Sequence, residues 1–174
     1  MSSTTNHSPL WSIDNGETWH NGNSRIQLAP GAYTITFRGV NGTRGNYASP
    51  YPMNITITAG QTATFNEKYI RMPKTLTVTT STGNHGGTYT QYNTTGTIDQ
   101  HYWIMENSLY GGIYYLYYIQ DNDSHYYWAI GPSRNGQNII AYATTTPSYP
   151  PSHQYVSWVN VGGGTITVEE PSND

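Results

Sequence analysis

The stretch IYYLYYIQDNDSHYYWAIGP, residues 113–132, decides the reading of this chain. Residues 113–119 and 126–130 are aromatic, apolar runs, and Asp121, Asn122 and Asp123 between them are residues that serve tight turns. Aromatic and β-branched side chains at this density favour strands, so the segment predicts an antiparallel hairpin. In the first run Ile113, Tyr115, Tyr117 and Ile119 share one parity, and Tyr114, Leu116 and Tyr118 the other. Both faces are therefore aromatic. A strand wetted on one side normally shows Thr, Ser or Lys there, so at least one face belongs in a core. The other is either packed as well, with cross-strand tyrosine pairs adding about 0.2–1 kcal/mol each, or an open platform. A phenol ring carrying a hydroxyl suits a flat, hydrated, neutral partner such as a sugar.

Outward from this hairpin, short strands are expected at 75–80, 87–92, 102–105, 138–143, 158–159 and 165–169. Turn residues separate them at 83–87, at Gly111 and Gly112, and at 134–136. Strands this short and this evenly punctuated predict an all-β antiparallel sandwich or small barrel over 75–169. With GGTYTQYNTTG, AYATTTPSYPP and Trp158, the quoted stretch resembles a Tyr/Trp-rich β module of large extracellular bacterial proteins. That resemblance implies a location more than an activity.

The first half reads differently. Residues 32–40 alternate Tyr33, Ile35 and Phe37 with Thr34, Thr36 and Arg38, giving one core face and one wet face. Residues 11–13 run into the turn Asp14-Asn15-Gly16, and 25–28 into Ala29-Pro30-Gly31. Residues 53–58 and 62–69 are expected to pair across Ala59-Gly60-Gln61. The runs WSIDNGETWHNGNSRI (11–26), LAPGAYTITFRGVNG (28–42) and MNITITAGQTATFNEKY (53–69) resemble a PEGA-type domain. The resemblance implies a small immunoglobulin-like β-sandwich with a spacer or presentation role and no known catalytic residues. A boundary is expected near Pro73, where the composition turns towards Tyr and Trp. The resulting division is a linker stub (1–9), a PEGA-like sandwich (10–71), a Tyr/Trp-rich β domain (75–169) and a tail (170–174).

Composition excludes several classes. Charged residues are 10% of the 174, the net charge is −3, and Lys and Arg form no cluster, which argues against nucleic acid. The absence of cysteine removes disulfides, thiolate metal sites and cysteine nucleophiles. No apolar run reaches the length of a membrane span, and the first residues lack the apolar core of a signal peptide. The polar ends read as linker stubs, so the expectation is a module of a longer exported chain, extracellular or on a cell surface, beside neighbouring modules.

Candidate contacts follow from the rings. Tyr110, Tyr114, Tyr118 and Tyr126 lie on or beside the aromatic hairpin, and Trp19 sits in the polar setting Glu17-Thr18-Trp19-His20-Asn21-Gly22. Trp103, Trp128 and Trp158 are expected to anchor the second core, and Trp11 the first. Asp121-Asn122-Asp123-Ser124 is rich in oxygen but lacks a calcium-loop pattern, and reads as a turn. The six histidines lack metal-ligand spacing and read as surface residues; His101 and His125 would meet only if their strands paired. No metal, cofactor or nucleophile motif is found. Asp99 and Glu106 are the carboxylates a hydrolase would need to bring together. Three functions stay open. One is a non-catalytic module binding polysaccharide or surface glycan, or a protein partner, through aromatics. The others are a spacer or self-assembling subunit, and a polysaccharide hydrolase.

Overall fold

The computed structural model describes residues 9–171, apart from 43–44, 94–95, 108–111, 124, 144–150 and 153–155. The first part holds β1 (Leu10–Ser12), β2 (His20–Asn21), β3 (Gly31–Arg38), β4 (Val40–Gly42), β5 (Gly45–Ala48), β6 (Met53–Ile57) and β7 (Ile70–Pro73). Then come β8 (Thr75–Thr80), β9 (Gly87–Asn93), β10 (Tyr102–Asn107), β11 (Gly112–Gln120) and β12 (Tyr126–Gly131). Three short strands end the chain: β13 (Ala141–Ala143), β14 (Trp158–Asn160) and β15 (Ile166–Glu169). A single 3-10 turn, Ile98–Gln100, precedes β10, and the described residues contain no α-helix. The chain is all-β.

The strands form an eight-stranded sheet in the order β14-β13-β12-β11-β10-β9-β8-β15, a four-stranded sheet β2-β1-β3-β6 and a three-stranded sheet β4-β5-β7. In the large sheet β8 to β13 each pair with the next strand, and β15 returns beside β8, so the sheet is nearly closed. The β14 edge is tied to β8 and the connection that follows it. The Asn160 amide on β14 donates to Thr80 Oγ1 and Thr82 Oγ1, both at 3.1 Å, while Thr82 Oγ1 donates to the Gly163 carbonyl at 2.6 Å.

Alternation decides what fills this barrel. Leu76, Val78, Tyr89, Trp103, Met105, Leu116, Tyr118, Trp128, Ile130, Ala141, Ile166 and Val168 join one buried cluster. Trp103, Leu116, Ile130 and Ala141 are register partners across four strands, so large and small side chains share one rung. Trp103 and Trp128 meet edge to face at 5.6 Å. Their full burial matches the anchoring role expected of them, and Trp11 is buried in the first sheet, but Trp158 is only half-buried against the cluster. On β11 the inward parity is Tyr114, Leu116 and Tyr118. The outward Tyr117 is also buried, because the 132–138 loop folds over this face: a Cβ on Gly136 would lie 2.6 Å from Ile119 Cδ1, and one on Gly131 3.5 Å from Tyr117 Oη.

The first part differs from expectation in one pairing. β6 pairs with β3 alone, and 58–69 form no strand. Phe65 reaches the core through ring contacts instead, with Trp11 at 5.4 Å and Phe37 at 5.8 Å, which requires no ladder. Residues 25–28 likewise form no strand.

Chain on both sides of Pro73 enters the same interior. Ala48 and Met72 belong to the barrel's buried cluster, and the Trp103 indole N–H donates to the Pro73 carbonyl at 2.8 Å. The Asn46 amide donates to Gln91 Oε1 at 2.7 Å, and the Gln91 amide donates to His101 Nδ1 at 2.8 Å. That leaves the His101 Nε2–H to face the Gly96 carbonyl, which fixes a neutral tautomer in a fully buried ring. Arg71 makes a two-point ion pair with Glu170, joining β7 to the residue after β15.

Candidate functional site

The hairpin that opened the sequence reading builds one mouth of the barrel. Its turn is held by the Asp121 carboxylate, which accepts from the N–H groups of Asp123 at 2.9 Å and His125 at 2.8 Å. The carboxylate is thus engaged by backbone, as the turn reading expects. β11 and β12 pair with Tyr118 opposite Trp128 and Gln120 opposite Tyr126, so Tyr118 and Tyr126 are diagonal neighbours on the inward face. Their rings stack at 5.5 Å with planes 10° apart, and Trp128 lies against Tyr118 at 4.9 Å. Tyr118 is buried and Tyr126 is 39% exposed, so the stack runs from core to solvent.

Two further groups reach this mouth through one backbone contact. Ser49 and Thr97 form an isolated parallel bridge, with the Ser49 N–H donating to the Gly96 carbonyl at 2.8 Å. In a parallel pair equal steps along both chains stay side by side, and Tyr51 and Asp99 each lie two residues beyond the bridge. Buried Ile98 pins the 3-10 turn that carries Asp99. The Tyr51 hydroxyl and the Asp99 carboxylate come together here. Burial raises the Tyr51 pKa, and the neighbouring Asp99 carboxylate and Tyr126 raise it further. The Tyr118 pKa is raised by burial first, then by Tyr51, Tyr126 and Asp99. These hydroxyls stay protonated at physiological pH. The Tyr118 hydroxyl is buried without a hydrogen-bond partner.

The structure therefore brings Tyr118 and Tyr126 together with Asp99, and adds Tyr51, which sequence reasoning missed. Tyr110 lies outside the described residues. Tyr114 is at the other end of β11, half-buried against the core, with His85 at 6.5 Å. Trp19 belongs to neither mouth; it is half-buried beyond β1, 5.9 Å under the Arg38 guanidinium. Asp99 and Glu106 do not face each other. Glu106 lies four residues along β10 from Tyr102, about 13 Å of strand beyond the 3-10 turn, and paired glycosidase carboxylates stand about 5–9.5 Å apart.

The histidines correct the surface expectation. His85 and His101 are buried, since neither needs a charge where it sits: His101 is held neutral by Gln91, and burial lowers the pKa of His85. His101 and His125 do not meet, because β11 separates their strands. Comparison with protein-family models, curated proteins and solved structures returns no match.

Proposed function

We propose that the chain is a non-catalytic β module of a bacterial surface or secreted protein that binds a glycan at the Tyr51–Asp99–Tyr118–Tyr126 mouth. The observation that carries this reading is the Tyr118–Tyr126 stack with Asp99 and two phenol hydroxyls gathered beside it. The exposed faces of Tyr126 and Tyr51 offer apolar area to the C–H face of a sugar ring. Asp99 accepts from sugar hydroxyls, and the Tyr51 hydroxyl donates to them. The PEGA-like first part then acts as a spacer that presents the barrel.

Affinity electrophoresis through soluble polysaccharides, followed by titration with oligosaccharides of the retarding polymer, tests it. Tyr126→Ala and Asp99→Asn are each expected to weaken binding at least tenfold with the fold intact. Retardation unchanged in both variants, or no retardation by any polymer, overturns the assignment.

A self-assembling subunit is the second reading, and β6 favours it. This five-residue strand is an edge of its sheet and carries no charged side chain. Light scattering across a concentration series separates the two: a lasting monomer excludes assembly, and a mass rising with concentration supports it.

A further inference from the structure

The opposite mouth of the barrel holds a preformed cavity of about 380 Å³, lined by residues from the β8–β9, β12–β13 and β14–β15 connections and the start of β11. We propose that this cavity is a second binding site, which takes the terminal ring of a neutral sugar.

Three observations point to that ligand class. The lining contains no Asp, Glu, Lys or Arg, so an ionic ligand would shed its water and meet no opposite charge. The polar groups are neutral and held in place. Asn160 donates to Thr80 and Thr82 while its Oδ1 accepts from the Gly162 N–H at 3.3 Å, which fixes the amide at the cavity wall. Beside them Tyr114, Pro132 and Ile140 supply an apolar wall. Hydroxyls on one side and a C–H face on the other describe a pyranose. The volume falls at the lower end of the roughly 300–1,000 Å³ usual for small-ligand sites, which fits a chain end rather than a polymer threading through.

His85 is one of the lining residues. It is 4% exposed, and its Nε2 has no hydrogen-bond partner. Its placement is built. The Tyr89 hydroxyl donates to the His85 carbonyl at 2.8 Å, and the ring lies so close to Gly83 that a Cβ there would stand 2.8 Å from it. Burial lowers the imidazole pKa, so the ring stands at the cavity as a neutral group whose ¹⁵N resonances report on a ligand seated against it.

This proposal extends the glycan-binding reading to other residues, so either can fail alone. The test is an imidazole ¹⁵N spectrum of the full chain, titrated with the methyl glycosides of glucose, galactose, mannose and N-acetylglucosamine, with glucuronate and phosphate as charged controls. At least one neutral glycoside is expected to shift the His85 Nε2 resonance saturably, and the charged controls to leave it in place. In a Tyr126→Ala background, which silences the other mouth, His85→Phe should weaken that glycoside at least tenfold by ligand-observed saturation transfer. No shift with any neutral glycoside, equal shifts with the charged controls, or undiminished binding to His85→Phe overturns the proposal. The wild-type titration decides by itself should His85→Phe not fold.

Discussion

Tyr118 and Tyr126 lie ring on ring, 5.5 Å apart and 10° from parallel, yet one is 6% exposed and the other 39%. The pair conducts a single aromatic surface out of the core. Its inner member carries a buried hydroxyl with no hydrogen-bond partner, and leaving such a group unmet costs about 1–3 kcal/mol. Tyr118→Phe deletes the oxygen and keeps the ring. Stability in urea is expected to hold or to rise by about 1 kcal/mol, while oligosaccharide binding holds, since no sugar hydroxyl reaches this oxygen. A parallel loss of both would show the hydroxyl to be structural.

Removing the outer ring separates the two roles from the other side. Tyr126→Ala forfeits a stacked pair worth about 0.5–1.5 kcal/mol and leaves the Tyr118–Trp128 contact in place. Urea unfolding should therefore move by that modest amount, against a binding loss of tenfold or more. A drop of about 3 kcal/mol or more, the scale of truncating a buried aromatic, would mark Tyr126 as core.

Two glycines with positive φ make a controlled pair. Gly45 on β5 has φ +148°, and a Cβ there would lie 2.3 Å from the Met72 carbonyl oxygen on β7. Gly60 has φ +73° and open space around it. Gly60→Ala should cost only the left-handed backbone penalty, about 1–2 kcal/mol. Gly45→Ala adds a clash with backbone that cannot move away, so about 3 kcal/mol or more is expected. Equal midpoint shifts in denaturant would contradict the close β5–β7 approach.

The barrel strands were legible because both signals that specify them are local. Alternation at 113–119 marked two aromatic faces, at least one of them core, without saying which, and Asp121-Asn122-Asp123 named the turn. The Tyr51–Asp99 neighbourhood was not legible, since it depends on one bridge between Ser49 and Thr97, residues that no periodicity connects. Burial of His85 and His101 was hidden for a related reason: each lies in a connection, where nothing alternates. The expected strand at 62–69 failed because alternation also suits a segment that touches the core through one ring, Phe65.

Acid should weaken the fold in two separate windows. Burial holds the His85 pKa below its ordinary 6.5, so the unfolded chain takes that proton first; stability is full above about pH 6.5 and declines as pH falls below it. Asp14 is the opposite kind of group, a carboxylate stabilised as the anion. The Ser12 hydroxyl and the Thr18 N–H hold its pKa near 2 instead of 3.8. Its contribution is full above pH 3.8 and is lost as pH falls to about 2. In urea titrations at successive pH values, His85→Phe should flatten the upper window only and Asp14→Asn the lower only. A single variant that flattened both would refute the separation.

The hydrogen-bonded line Asn46–Gln91–His101 makes the barrel depend on chain that precedes it. Gln91→Ala takes the acceptor from the Asn46 amide and the donor from His101 Nδ1 together, and a cost of about 2 kcal/mol or more is expected. Asn46→Ala breaks the same line at its outer end. The two losses should then fall short of additivity in the double variant by about 0.5–3 kcal/mol. The consequence reaches past these residues. A fragment beginning at residue 75 would lack Ala48 and Met72 from its buried cluster and the Pro73 carbonyl that receives the Trp103 indole N–H. Such a fragment should give a broader, less cooperative thermal transition than the full chain, with weak near-ultraviolet dichroism from its loosened tryptophans. If instead it melts as sharply as the full chain, the contacts across Pro73 are docking between two self-sufficient units, and the barrel's core is complete without Met72.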